Sequence, residues 1–163
     1  MKSVLISIQP KWCELIASKK KTVEVRKTRP KLEPPFKVYI YCTQGLLKDL
    51  GAIGNEMYQK RMKVIGEFVC DCITEIRPFG FEDIGEFEKQ TCLTSAGIVQ
   101  YLNGFYGYGW HISDLKIYDH PKKLSEFCSY DARIYIGENG FPMPTHAITR
   151  PPQSWCYVEE GGE

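Results

Sequence analysis

Residues 4–16, with the sequence VLISIQPKWCELI, predict the first two elements of the fold. The first part of this stretch is rich in β-branched side chains and predicts a short strand. Pro10 then suits the first turn of a helix, where its missing N–H costs no hydrogen bond. Trp12, Leu15 and Ile16 follow at the i, i+3 and i+4 spacing that gives a helix one apolar face. We therefore expect a strand that leads directly into a short helix.

An alternating pattern after this helix predicts a second strand. In residues 22–26, Val23 and Val25 point to one face and the polar residues point to the other. Three lysines at 19–21 precede the strand, and cations are favoured at the C-terminal end of a helix. The first helix and the second strand are thus joined by a basic turn.

Four further strands are predicted from runs rich in β-branched and aromatic residues. They lie at residues 36–42, 64–76, 110–118 and 154–158. Acidic residues recur at every fourth position of 64–76, as in a helix, but its Val, Ile, Phe and Cys content favours a strand bent near Gly66. Thr94 and Ser95 can cap a later helix. A short strand is also predicted at 133–136.

These elements predict an α+β fold in a single domain over residues 1–163. Strands outnumber helices, no repeat or linker interrupts the pattern, and 163 residues suffice for about one domain. A small mixed β-barrel decorated by two or three helices fits this order. Residues 44–62 and 129–149 are expected to be surface excursions.

Composition and charge exclude several classes of protein. Hydrophobic residues make up 43% and charged residues 25%, which excludes a disordered or fibrous chain. The net charge of +1 excludes a histone-like binder but is compatible with a local basic patch. No apolar run approaches the ~20 residues of a membrane span, and residues 1–8 are too short for a signal-peptide core. We expect a cytoplasmic protein without membrane contact.

The seven cysteines are expected to be reduced and mostly buried. Their number is odd, no export signal precedes them, and none forms a Cys-x-x-Cys pair. Cys70 and Cys72 would share one face of a strand. With three histidines in the chain, we predict no metal site and no cofactor. Gly-x-Ser-x-Gly, P-loop and His-Glu-x-x-His motifs are absent, which argues against serine hydrolases, nucleotide kinases and zinc proteases.

Charged residues near the first helix are the first candidate site residues. Lys21 and Glu24, if they converge on a cleft, can hold the polar edge of a base or transfer protons. The alternative is a solvated lysine run with a Glu24–Arg26 pair on an exposed strand face, which contributes about 0–1 kcal/mol. Four basic residues are candidates for binding phosphate, with dispersed surface charge as the alternative: Lys11, Lys20, Arg26 and Arg150.

Aromatic residues and one histidine complete the candidates. Three tryptophans can stack on an unpaired base, worth about 1–3 kcal/mol per base, or belong to the core: Trp12, Trp110 and Trp155. Residues 104–109 are expected to be a flexible loop that closes over a base through three aromatic rings: Phe105, Tyr106 and Tyr108. His111 can act as a general base, or it makes a structural hydrogen bond.

Four segments share a pattern with a known family: IQPKWCELI at 8–16, KKTVEVR at 20–26, GWHISDL at 109–115 and RPPQSW at 150–155. They resemble bacterial and phage-borne members of the ASCH domain family, a branch of the PUA-like superfamily. The resemblance covers nearly the whole chain. It implies a PUA-like β-barrel of five or six strands with a cleft beside the first helix. It also implies a link to nucleic acid, because PUA-like relatives bind RNA or modified bases.

The resemblance includes enzymes, and the chain departs from their pattern. One bacterial branch deacetylates N4-acetylcytidine, and another member has been described as a ribonuclease. The deacetylating branch has Lys-Thr-x-Thr, whose second Thr is the proposed nucleophile; Lys21 matches its lysine, but Glu24 replaces that Thr. Glu86 or Glu88 approximates the branch's last catalytic residue. Members usually carry Gly at the position of Lys19, where another residue costs roughly 1 kcal/mol if the backbone is left-handed.

These features together predict an RNA- or modified-nucleobase-binding module. Basic residues would hold the backbone, Lys21 and Glu24 would read a base edge, and an aromatic ring would stack on the base. The alternative is a metal-independent hydrolase on the same ligands. That hydrolase would be an N4-acetylcytidine-type amidohydrolase, with Glu24 as base for a water, or a ribonuclease. A third interpretation is an adaptor that binds another protein. The oligomeric state is left open.

Overall fold

A mixed sheet of seven strands carries the fold, in a computed structural model that describes residues 1–77, 84–130, 140 and 147–159. The strands are β1 (Lys2–Ile8), β2 (Val23–Arg26), β3 (Phe36–Cys42), β4 (Lys63–Ile76), β5 (Gly107–Lys122), β6 (Cys128–Ser129) and β7 (Trp155–Glu159). Their order across the sheet is β2-β5-β4-β3-β1-β7-β6. β1 and β3 are parallel, and the other paired strands are antiparallel.

Five short helices surround this sheet in the described part of the chain. They are α1 (Pro10–Ala17), α2 (Leu47–Leu50), α3 (Asn55–Gln59), α4 (Ile84–Thr91) and α5 (Ser95–Leu102). The α+β class is confirmed, with more elements than the five or six strands and two or three helices expected. The additional ones are too short for a periodic pattern: β6 has two residues and α2 has four. None of the described helices is long and apolar enough to cross a membrane.

The first helix begins as the sequence predicts. Pro10 is its first residue, and Pro10, Cys13 and Ile16 are buried against the sheet. After the helix, Lys19 adopts a left-handed backbone with φ of 62°. Its N–H donates to the carbonyl of Ile16 at 2.9 Å. The chain thus turns toward β2 through the conformation that a glycine would adopt with least strain.

β4 is the long bent strand that the sequence predicts, and Gly66 explains the bend. The pairing of β4 with β5 shifts register between Val64 and Gly66. A Cβ atom at Gly66 would lie 2.4 Å from the backbone oxygen of Lys116. Only glycine therefore permits this close approach of two backbones.

The sheet is buried on both faces near its centre. In β1, Val4, Ile6 and Ile8 belong to the main core cluster, while Leu5 belongs to a second cluster on the opposite face. β2 is also buried on both faces, including the polar face that alternation predicted. Its polar face is turned inward because the sheet curls over it.

Side-chain hydrogen bonds connect β2 and the residues that follow it with β1 and β7. β2 is separated from β1 by three strands in the hydrogen-bonded order. Nevertheless, Arg26 Nη2 donates to the Ser7 carbonyl at 2.6 Å, and Trp155 Nε1 donates to Thr28 Oγ1 at 2.9 Å. The sheet is not closed by strand pairing among the described residues, yet its curvature encloses a space between β2 and β1 as a barrel does.

The aromatic stretch 104–109 is not wholly a loop, which corrects the prediction of a mobile lip. Tyr108 lies in β5, opposite Arg26 of β2. A Cβ atom at Gly107 would lie 2.5 Å from a methyl carbon of Leu102. The glycine therefore serves close packing against α5 and not hinge motion.

Two other expectations are corrected or refined. All seven cysteines are free, but only Cys13, Cys42 and Cys70 are buried, and Cys72 is exposed because the register of β4 shifts after Cys70. The excursion at 44–62 contains α2 and α3 and is anchored by buried Met57. Most of the excursion at 129–149, including the strand expected at 133–136, lies outside the described residues.

Candidate functional site

A cavity of about 440 Å³ lies where α1, β2 and α5 meet the C-terminal end of β1. This volume falls within the roughly 300–1,000 Å³ of small-molecule sites. The cavity is lined by Ser7, Gln9, Trp12, Lys21, Glu24, Val25, Arg26, Thr43, Leu93, Tyr101 and Gln153. These residues come from distant parts of the chain, so they meet only when the molecule is folded.

Three charged side chains form one wall of the cavity. Glu24 Oε2 lies 3.3 Å from Lys21 Nζ. Glu24 Oε1 lies 3.1 Å from Arg26 Nε and 3.0 Å from Arg26 Nη2. Lys21, Glu24 and Arg26 are only 2%, 5% and 8% exposed. The alternative of an exposed Glu24–Arg26 pair is therefore wrong, and of the lysine run only Lys19 and Lys20 are solvated. We call Lys21, Glu24 and Arg26 the buried triad.

Local structure explains why the buried triad points inward. Thr22 N–H donates to Gln90 O at 2.8 Å, and Ile112 N–H donates to Thr22 O at 2.9 Å, so the start of β2 is held between α4 and β5. Lys21 Nζ donates to the carbonyl of Thr91 at 2.6 Å. The lysine therefore spans from the basic turn to the end of α4, with its ammonium group at the cavity.

The buried triad retains unused hydrogen-bonding capacity toward the cavity. The Lys21 ammonium has three N–H donors, of which Thr91 and Glu24 take two. The third is available to a ligand or to the ring of Trp12, whose centroid lies 5.1 Å away. Among the described residues Glu24 Oε2 contacts Lys21 alone, and it keeps a second lone pair. A donor and an acceptor thus stand side by side, 3.3 Å apart.

Arg26 is a structural anchor as well as a wall of the cavity. Besides Glu24 it donates to Ser7 O at 2.6 Å and to Ser154 Oγ at 3.3 Å. These contacts use four of its five N–H groups and leave one on Nη1. The structure thus places Arg26 inside the cavity wall and not on an open phosphate-binding surface.

Two aromatic residues reach the cavity, and one was missed by the sequence analysis. Trp12 is half-buried and lines the site from α1. Tyr101 lines it from α5, and its spacing from Ile98 and Leu102 in the sequence is typical of the apolar face of a helix. Burial raises the pKa of Tyr101, an effect to which Glu24 contributes and which Arg26 opposes. The hydroxyl of Tyr101 is therefore a neutral hydrogen-bonding group near the triad.

The remaining predicted site residues do not line the cavity. Lys11 Nζ pairs with Asp49 Oδ2 at 3.4 Å, and Lys20 and Arg150 are exposed. His111 Nε2 is hydrogen-bonded to Thr74 Oγ1 at 2.8 Å, which matches the structural alternative. Tyr108 packs against the main core cluster.

The other two tryptophans also lie outside the cavity wall. Trp110 is fully buried in the main core cluster, and Trp155 packs beside it with ring centroids 6.1 Å apart. Five lining residues lacked any sequence signal of function, because small polar and aliphatic side chains are common everywhere: Ser7, Gln9, Thr43, Leu93 and Gln153.

Three groups that a hydrolase could use are constrained by their surroundings. Glu88 accepts hydrogen bonds from the backbone N–H and the hydroxyl of Ser95 at 2.6 and 2.8 Å, which lower its pKa. Burial raises the pKa of Cys13, behind the triad, well above its ordinary value, so this thiol is not a nucleophile at neutral pH. To act as a base for water, Glu24 would have to accept the proton on the one lone pair that its contacts with Lys21 and Arg26 leave free.

The charge of the wall favours particular ligands. Lys21, Glu24 and Arg26 sum to one positive charge, and the other lining residues are neutral. The triad and the small polar residues of the lining supply hydrogen-bonding groups, whereas Trp12, Val25 and Leu93 supply apolar surface. The cavity therefore suits a flat, partly apolar group with a donor–acceptor edge, carried by a neutral or anionic molecule.

Solved structures from Zymomonas mobilis have the same fold. The crystal structure of its ASCH protein is 19% identical and aligns with a TM-score of 0.59, over 97% of this chain and 88% of that one. A serine-to-alanine variant gives 19% identity and a TM-score of 0.65 over 98% and 89%. A tyrosine-to-phenylalanine variant gives 19% and 0.60 over 99% and 93%. No family sequence profile and no curated protein sequence matches the chain. The chain therefore has the fold of the ASCH proteins, as the resemblance of its sequence predicts.

Proposed function

We propose that the protein binds RNA through one base, modified or unmodified, which enters the cavity and is read by Lys21 and Glu24. The observation that carries this proposal is the buried triad itself. It presents an unused N–H of Lys21 beside an unused lone pair of Glu24. The Watson–Crick edge of a nucleobase offers an acceptor next to a donor, which is the complementary pattern.

Burial makes this recognition selective. A base that leaves either polar group without a partner would strand it away from water, at a cost of about 1–3 kcal/mol. Trp12 and Leu93 add apolar contact to the base. Stacking on an aromatic ring contributes about 1–3 kcal/mol and does not depend on the base. Hydrogen bonding to the triad would therefore select the base, and stacking would supply affinity.

The proposal is tested with a fluorescein-labelled ten-nucleotide RNA that carries one N4-acetylcytidine and with its unmodified counterpart. Fluorescence anisotropy at low salt is expected to show binding of at least one of the two RNAs. Glu24→Gln is expected to weaken it about tenfold, because the amide removes the charge that holds both cations and alters the donor–acceptor edge. No binding of either RNA by the folded wild-type protein would contradict the proposal.

Two further variants make this test specific. Glu33→Gln removes the same charge at an exposed position outside the cavity, so its RNA affinity is expected to match wild type. Tyr101→Phe retains the ring and removes only the hydroxyl, and it is expected to fold even if Glu24→Gln does not. If Glu33→Gln weakened binding as much as Glu24→Gln, the effect would be one of overall charge and not of the site.

The hydrolase alternative is examined in the same samples by mass spectrometry. Loss of the acetyl group or shortening of the RNA would show that the cavity performs chemistry, provided that the Glu24→Gln variant binds the RNA and leaves it intact. An intact RNA after prolonged incubation is the result we expect, because two cations occupy the Glu24 carboxylate.

A further inference from the structure

Three exposed aromatic side chains lie on α5, which lines the cavity, or in the turn that follows this helix. Tyr101, Phe105 and Tyr106 are 42%, 68% and 67% exposed. With Lys27 they form a patch that we call the aromatic ledge. Exposed apolar surface gathered in one place commonly marks a binding surface.

The ledge is held in place by the backbone beneath it. α5 ends at Asn103, which is left-handed with φ of 54°, and Phe105 N–H donates to the Leu102 carbonyl at 3.1 Å. Leu102 is buried, and Gly107 packs closely on its methyl groups. The turn between α5 and β5 is therefore anchored from below, while Phe105 and Tyr106 point outward.

The ledge is continuous with the cavity. Tyr101 both lines the cavity and belongs to the ledge. Lys27 directly follows Arg26, and its Nζ lies 5.2 Å from the centroid of the Tyr101 ring. The pairing of Arg26 with Tyr108 places Lys27 level with Gly107, next to Tyr106 along the chain. A chain leaving the cavity past Tyr101 would meet Lys27 and then the two exposed rings.

The described charged residues near the ledge carry a net positive charge. Across β5 from it, Glu75 pairs with Arg77 at 3.7 Å, so these two residues balance each other. Lys27 makes no ion pair among the described residues and is exposed. An exposed cation beside stacking rings is the combination that binds single-stranded nucleic acid.

We infer that the aromatic ledge binds the nucleotide that flanks the base in the cavity, so that the ligand is a base within a single RNA strand and not a free nucleoside. The inference rests on the proposed function. Phe105 or Tyr106 would stack on the neighbouring base, and Lys27 would contact the intervening phosphate. The cavity would provide selectivity, and the ledge would provide affinity that depends on strand length.

The test compares two ligands of the wild-type protein: free N4-acetylcytidine, measured by calorimetry, and the ten-nucleotide RNA containing it, measured by anisotropy. The RNA is expected to bind at least tenfold more tightly. Phe105→Ala and Tyr106→Ala together are expected to weaken RNA binding about fivefold or more and to leave nucleoside affinity unchanged. Lys27→Ala is expected to reduce the slope of log affinity against log salt by about 0.7.

Tyr58→Ala provides the matched control, because Tyr58 is an exposed aromatic residue on α3 outside the cavity and the ledge. Its RNA affinity is expected to equal that of wild type. An RNA affinity unchanged in the double ledge variant, with nucleoside still bound, would overturn the inference alone. Failure of the wild-type protein to bind either ligand would overturn the proposed function and the inference with it.

Discussion

Glu24 illustrates how a buried charge is tolerated when it has two partners. Moving a carboxylate out of water costs several kcal/mol, and contacts with Lys21 and Arg26 offset this cost. Removing one partner of such a cluster typically costs 3–5 kcal/mol, because an unpaired charge remains buried. Substitutions in the triad therefore change stability as well as binding, and each variant needs a measured free energy of unfolding.

Lys19 provides a prediction at the residue scale. Its left-handed backbone, φ of 62°, costs a non-glycine residue about 1–2 kcal/mol, and the greater freedom of glycine in the unfolded chain offsets part of the gain. Lys19→Gly is expected to raise the free energy of unfolding by up to about 1 kcal/mol. In a chain of this length, that gain raises the melting temperature by about 2–4 °C.

Lys20→Gly is the control for this substitution. Lys20 is the neighbouring exposed lysine, and its φ is not positive. Glycine there relieves no strain and is expected to lower stability. If both variants changed the melting temperature equally, the strain at Lys19 would not be the cause.

At the residue scale, the sequence indicated two charged residues that line the cavity, but not how deeply they are buried. Lys21 and Glu24 were selected from their spacing and from the ASCH resemblance, and the structure places both in the cavity wall. Alternation in β2 indicated a polar face but could not indicate that a curled sheet would cover it. Tyr101 carried no signal, because a tyrosine at a helical i+3 position is also typical of a core.

Among the elements, β4 is the strand most constrained by a single residue. Gly66 lies at its register shift, and an added Cβ would meet the backbone of β5 rather than a movable side chain. The sequence indicated the bend through this glycine, since glycine in a strand marks close approach. Within residues 44–62 the sequence indicated one amphipathic helix, whereas the structure has α2 and α3, each too short to show helical periodicity.

Gly66→Ala is therefore expected to destabilise the protein by about 1–3 kcal/mol, since neither backbone can move without breaking strand pairing. Urea denaturation followed by circular dichroism measures the change. Gly51→Ala is the matched control, because a Cβ there has no atom within 4 Å. An equal effect of both substitutions would contradict the steric explanation.

The whole molecule is built around shared strands. β1 supplies residues to two core clusters, and Val25 of β2 belongs to a third cluster together with α5. No described core cluster is confined to one part of the sequence. The single domain over residues 1–163 remains a prediction, which this sharing of strands supports.

We expect one cooperative thermal transition. Calorimetry, far-ultraviolet circular dichroism and tryptophan fluorescence should give the same midpoint, because loss of β1 would disrupt the two clusters it joins. Two separate transitions, or midpoints that differ between probes, would contradict a single folding unit.

The anchoring of Arg26 has a consequence for finding the natural ligand. Its hydrogen bonds join to the cavity wall Ser7 and Ser154, which lie 19 and 128 positions away from it along the chain. A molecule seated on that wall binds only the folded state, and at a hundred times its Kd it adds about 2.7 kcal/mol to stability. For this chain length that gain corresponds to several degrees of melting temperature. A library of nucleosides, nucleotides and unrelated metabolites can therefore be ranked by thermal shift alone. This ranking identifies the ligand of the cavity without assuming any reaction.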